Sequence, residues 1–347
     1  MAVLRHISRI TLINNFKSES RLHINYPCGT CLRFLNYSAM EYDESKNPAP
    51  LFFDRTVQSL LKSLTRIDLA KVFRKRKLGG YKLEDPQYKF MTDEELQTSI
   101  KDAQERANKM LQIPPAVPKR TTTNRMFSSD PALEGLETCR MVFTDITFGI
   151  KNNERVIVVR EPDGTLQEAD WELRDRMNQL YFPRKGRHIT PPRMFEDGYL
   201  KKLLDRHEYE FILDRACIQF EPDDPKYQHV VSITYQYIND NNDFDVLRST
   251  RHFGALTFFL VWNKNIDNLL LDLIETLHVE EGHDLTKLYF KVHNVSLSSS
   301  SNLEAIEEYI EKYSNKKPPL QLAVQAYKDL IKQKEQLATG IQAAHGV

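Results

Sequence analysis

The chain has 347 residues, 41% hydrophobic and 28% charged, with 48 Lys/Arg against 48 Asp/Glu and a formal net charge of zero. That length suits about two domains, and that apolar content suits a sizeable core. The neutral balance argues against a protein whose main business is gripping nucleic acid. The longest apolar run, Phe253 to Trp262, is about ten residues, well short of the ~20 that a spanning helix requires.

Residues 1–40 carry Arg5, Arg9, Lys17, Arg21 and Arg33 against the single acid Glu19, with Ser and Thr among Leu, Ile and Phe. Arg-bearing, acid-poor and hydroxyl-containing composition is that of a mitochondrial transit peptide, with cleavage expected near Arg33 to Met40. A basic tail of no fixed structure has a similar composition. Without this segment 43 basic residues face 47 acidic ones, a slight acidity that points to protein partners as well as RNA.

Residues 41–113 read as a helical segment. Asp54 can cap a helix bearing Val57, Leu60, Leu61 and Leu64. Thr92 to Glu95 is a capping box, and Leu96, Ile100, Ala103, Ala107 and Met110 follow on one face until Pro114-Pro115. Between them lies the basic cluster Lys71, Arg74, Lys75, Arg76 and Lys77. Across 55–89 there are ten Arg/Lys and three acids. Such a cluster suits phosphate contact with RNA, and a plain solvated basic face has the same composition.

Residues 114–136, rich in Pro, Thr and Ser, read as an extended linker. Residues 137–192 read as a β-hairpin plus helix module. Cys139, Met141 and Phe143 alternate with Arg140, Val142 and Thr144, and Arg155 to Arg160 is a short β-branched run. Asn152-Asn153 and Pro162-Asp163-Gly164 supply turns. Asp170 is the expected N-cap of a helix with Leu173, Met177 and Leu180 on one face, ended by Pro183. The loop that follows, Arg184, Lys185, Gly186 and Arg187, is the second candidate phosphate contact.

Residues 193–347 read as helices joined by short connections, hence stacked antiparallel hairpins. Leu213, Ala216, Cys217 and Phe220 share a face. Asp224-Pro225 opens a helix with Tyr227, Val230, Val231, Thr234 and Ile238 in register. Phe244 to Trp262 continues as helix, and Asn265 is expected to cap one carrying Ile266, Leu269, Leu270, Leu273, Ile274 and Leu277. Leu303, Ile306, Ile310 and Tyr313, then Leu320, Val324, Tyr327 and Ile331, mark the last two. Residues 267–311 hold ten acids and two lysines, so that face should meet protein or solvent rather than phosphate. The expected fold class is therefore predominantly α with a small β element (α+β).

Catalytic and metal-binding patterns are missing from this sequence. GxGxxG, GxxxxGK[ST] and GxSxG do not occur, and His278 to His283 misses both helical metalloprotease spacings by one residue. Cys28 to Cys31 forms a CxxC without a second one to complete a zinc site. No enzyme activity, cofactor, metal or small-molecule substrate is expected.

Several strings together carry a resemblance. VFTDI, ERVIVVREPDGTL, WELRDRM and YFPRKGR, then QFEPDD (219–224), DVLRSTRHFG (245–254) and NKNIDNLLLD (263–272), occur in one order. With the weaker DRTVQSLLKSLT (54–65), the chain resembles the mitochondrial small-ribosomal-subunit protein twenty-two family over about residues 50–290. It departs at Gln167-Glu168, where more basic character is usual, and at Leu173, where an acid is. The resemblance implies a structural component of the mitochondrial small ribosomal subunit in the matrix, with small-subunit ribosomal RNA and other small-subunit proteins as partners. A free helical-repeat adaptor or RNA-processing factor of the matrix is the alternative.

Overall fold

A computed structural model describes residues 47–74, 88–123, 125–135, 138–296 and 302–345, with side chains through Leu337. The expected transit segment, its CxxC and Lys75, Arg76 and Lys77 lie outside the described residues. The chain folds as α1 (Ala49–Phe52), α2 (Arg55–Thr65), α3 (Leu69–Val72), α4 (Asp93–Met110), β1 (Met126–Ser129), β2 (Met141–Thr144), β3 (Ile157–Arg160) and β4 (Thr165–Glu168). Ten helices follow: α5 (Trp171–Tyr181), α6 (Asp197–Leu204), α7 (Tyr209–Gln219), α8 (Pro225–Asn241), α9 (Phe244–Leu247), α10 (Arg251–Trp262), α11 (Asp267–Glu275), α12 (Val279–Val292), α13 (Asn302–Lys312) and α14 (Lys317–His345). It is the α+β class that the periodicities predict.

The large core is helical. The apolar stripes of α2, α7, α8, α10, α11, α12 and α13 converge in one cluster with Leu320 and Val324 of α14. The N-terminal helices are part of it: α2 packs on α10 and α12, and Phe52 meets Phe258 edge-on with ring centroids 5.1 Å apart. Asp54 caps α2 by accepting from Thr56 N at 2.7 Å, and Asp224 caps α8 from Lys226 N at 2.8 Å. Both caps fall where the sequence places them.

Two helix boundaries differ. The run from Phe244 to Trp262 breaks at Arg248 to Thr250, where Ser249 takes φ 58° and Thr250 caps α10. Buried Arg248 turns inward there and meets Asp272 (3.0 Å) and Glu281 (3.3 Å), contacts that an unbroken helix would not offer. Likewise α11 starts at Asp267 without a side-chain cap from Asn265, and Leu277 lies beyond its end, exposed at φ 64°.

The small module is a four-stranded antiparallel sheet, order β1-β4-β3-β2. The expected hairpin strands pair as Val142↔Val159 and Phe143↔Val158. Pro162-Asp163-Gly164 makes the β3–β4 turn: Gly164 N donates to Glu161 O (3.0 Å) and Gly164 adopts φ 83°, where any side chain would be strained. Strand β1 comes out of the segment read as a linker, because Met126 and Ser128 pair with Gln167 and Leu166 of β4. Four exposed residues without apolar alternation gave no strand signal. Helix α5 covers one face, with Leu173 and Met177 on Val142, Ile157, Val159 and Ala169.

Candidate RNA and protein docking sites

The first basic cluster divides. Lys71 on α3 turns back onto the helical core, its Nζ donating to the carbonyls of Asp245 (2.9 Å) and Val246 (3.1 Å). Burial pulls its pKa below the ordinary lysine value. Lys71 thus tethers α3 to α9, while Arg74, one turn later, is exposed.

The second cluster is a clamped loop. Asp170 caps α5 (Leu173 N, 2.8 Å), and Phe182 and Pro183 end it, so the chain turns away at Arg184. Gln179 of α5 accepts from Arg184 N (3.2 Å) and donates to Arg187 O (3.1 Å). On the other side Gln219 exchanges two bonds with the His188 backbone (3.0 and 2.8 Å), and Arg215 donates to Gly186 O at 2.7 Å. Glu221 Oε1 holds both Arg184 (2.5 Å) and Arg187 (3.0 Å). The Arg187 side chain also donates to Ile218 O and is only 11% exposed, whereas that of Arg184 is 49% exposed. Lys185 is exposed at the tip. The structure therefore brings Arg184, Lys185 and Arg187 together but gives them different work: Arg187 locks the loop to α7, and the outward cations are Lys185 and Arg184.

The most deeply placed cations of the module escaped sequence reasoning. Arg155, 2% exposed, donates to the carbonyls of Asp145 (2.7 Å), Thr147 (2.9 Å) and Ile150 (3.0 Å), and its guanidinium lies 3.8 Å from the centre of the Phe182 ring. Arg174 on α5 ion-pairs with Glu168 (2.6 Å) and donates to Arg155 O (2.8 Å). So Arg174 and Asn178 are the buried positions of α5, while Leu180 of the expected apolar face is exposed. Arg120 joins module to core: stacked on Trp171 at 4.8 Å, it pairs with Asp175 of α5 and with Asp224, the N-cap of α8, both at 3.0 Å. Burial raises the pKa of Asp175 above the usual carboxylate value despite that pair.

Much of the acid in 267–311 is consumed internally. Buried Asp267 accepts from Tyr309 (2.8 Å), Asn315 N (2.9 Å) and Lys316 N (3.1 Å), and Glu281 pairs with Arg66 (2.6 Å) as well as Arg248. Residues beyond the basic loops contribute apolar exposure. Ala107 alone of the α4 stripe is buried, while Leu96, Ile100 and Met110 are exposed, as are Tyr88 and Phe90 ahead of the helix. Among the described residues no group of three His, Cys, Asp or Glu could hold a metal ion, and no helix is long and apolar enough to cross a membrane. Buried His252 lies 2.8 Å from Asp214, which also takes Arg251 at 2.8 Å, an arrangement that ties α10 to α7.

A helical body, a one-sided sheet module, outward cations and unpartnered apolar faces define a structural docking protein. Comparison with known proteins then gives the family. Residues 50–294 match the family described as Mitochondrial 28S ribosomal protein S22. Small ribosomal subunit protein mS22 of Mus musculus is 36% identical over 306 residues, 86% of this chain and 84% of the relative. Its namesake in Bos taurus is 37% identical over 311 residues, 87% and 84% of the two chains. The chain belongs to this family of mitochondrial small-subunit ribosomal proteins.

Proposed function

We infer that the chain is a structural component of the mitochondrial small ribosomal subunit and supports mitochondrial translation there without catalysing a reaction. The observation that carries this is the family match over residues 50–294, which takes in the sheet module and the helical core from α2 to α12. Residues 1–40 serve as the transit peptide in this reading. Ribosomal RNA meets the exposed Lys185 and Arg184 at the loop tip and the exposed Arg74, together with Lys75, Arg76 and Lys77 of the same basic run. Lys71 and Arg187, committed to internal partners, position those contacts. Neighbouring proteins cover the outward apolar stripe of α4.

Charge reversal tests the RNA contact. Lys185→Glu in the full chain should leave the free protein's melting temperature unchanged and reduce its incorporation into small subunits, because each phosphate contact adds a salt-dependent share of affinity. Undiminished incorporation at moderate and high salt assigns the loop tip to solvent.

A further inference from the structure

We propose that the uncovered face of the four-stranded sheet docks an apolar surface of a neighbouring ribosomal protein that presents a carboxylate to Arg160; this rests on the ribosomal reading above. An antiparallel sheet covered on one side normally turns polar residues to water on the other. Here Val142, Ile157 and Val159 face α5, so alternation places Met141, Phe143, Val158 and Leu166 on the opposite face, in pairs Phe143↔Val158 and Arg160↔Leu166. Val156 extends the row. Phe143 is 46% exposed and Val156 56% exposed, and the exposed side chains of Ile146 and Phe148 continue the patch into the next loop.

Charge on this face selects the occupant. Glu168, the carboxylate that the same alternation puts on this face, is held by Arg174, and Arg160 has no ion pair among the described residues. Its guanidinium sits 5.5 Å from the Phe143 ring centre. A second copy would bring to this face a Glu168 already held by Arg174, leaving no free acid at the outward positions of its paired strands to meet Arg160. Sheets that read RNA stack bases on several open rings. At the register-paired outward positions of this face the aromatic is Phe143, whose ring already carries a guanidinium, while Met141, Val158 and Leu166 offer no ring; Phe148 lies in the loop beyond the strand, and Phe127, at the β1 bulge, lies under Arg125. A protein surface with an acid flanked by apolar residues matches both the shape and the unmatched charge.

The test replaces Phe143 in the full-length chain with the photo-crosslinking residue benzoylphenylalanine, expresses it in mitochondria and irradiates isolated small subunits. A crosslinked peptide from another small-subunit protein, apolar and bearing Asp or Glu, is expected. Crosslinks to RNA, to a second copy, or none at all would overturn the proposal. In parallel, Phe143→Glu with Val156→Glu should lower incorporation on the order of tenfold while leaving the free chain's melting temperature unchanged. Arg160→Glu should do the same and Arg160→Lys should not; unchanged incorporation of the glutamate variants contradicts the proposal. If the unaltered chain itself never enters small subunits, the ribosomal reading fails instead.

Discussion

Arg155 shows how much of the module hangs on one side chain. A guanidinium with five donors reaches three carbonyls of the β2–β3 connection at once, which neither an ammonium nor an aliphatic chain can do. Arg155→Ala should cost about 2–4 kcal/mol, since buried carbonyls are left without donors; urea unfolding checks the magnitude, and amide exchange should rise first over 145–160. At Gly254 a Cβ would lie 2.6 Å from Ile113 Cδ1, so Gly254→Ala should destabilise by about 1–3 kcal/mol. Adding Ile113→Val, which removes that atom, should restore part of the loss.

The Asp214–His252 pair sets a pH dependence. Burial opposes ionisation of Asp214, yet the hydrogen bond from His252 and the Arg251 charge outweigh it and hold the carboxyl well below its usual range. Burial keeps His252 below the ordinary histidine value, so it is neutral near pH 7 and donates to Asp214. Both groups bind protons more readily in the unfolded chain, and stability therefore falls with acid. The histidine part is complete above about pH 6.5 and fades below it, and the carboxylate part is lost only below about pH 4. His252→Asn should flatten the upper limb of a plot of melting temperature against pH. None of these three roles was legible in sequence, because what Arg155 and Arg251 pair with lies in a loop's carbonyls or far along the chain.

Elements were legible where local chemistry is strong. Asp54, Thr92, Asp170 and Asp224 each cap the helix they announce, and the Pro162-Asp163-Gly164 turn closes the hairpin. Thr92→Ala should cost about 1 kcal/mol of α4 stability, seen as faster exchange over the first turn. Misreadings occur where tertiary contacts decide. Strand β1 exists because β4 offers an edge, and α5 buries arginine and asparagine because the loop across from it presents carbonyls. The candidate loop was legible as a cationic turn, but its division of labour depends on Glu221, contributed from beyond α7. Accordingly Arg187→Glu, which would set two carboxylates together, should lower the melting temperature, while Lys185→Glu should not.

At the scale of the molecule, most of the stripes on the C-terminal helices were legible, Leu277 being the exception, and their convergence with α1 and α2 was not. Periodicity tells which face of a helix is buried but not against which helix. Removing residues 47–65 would strip Phe52, Val57, Leu61 and Leu64 from the core, so that truncation should yield aggregated protein rather than a shorter folded domain. The charge of 267–311 divides in a similar way: Asp267, Asp272 and Glu281 are tied into internal contacts, while Glu275, Glu280, Glu304 and Glu311 stay exposed on a surface that elsewhere carries separate cations and apolar faces. Such a surface suits a protein finished by its neighbours.

That claim is tested most directly by sedimentation of mitochondrial lysate through sucrose gradients at moderate and high salt. The chain should migrate with small subunits in both, held by apolar docking as well as by salt-sensitive phosphate contacts. Its persistence in light fractions, free of small subunits under either condition, would contradict a structural role in the ribosome.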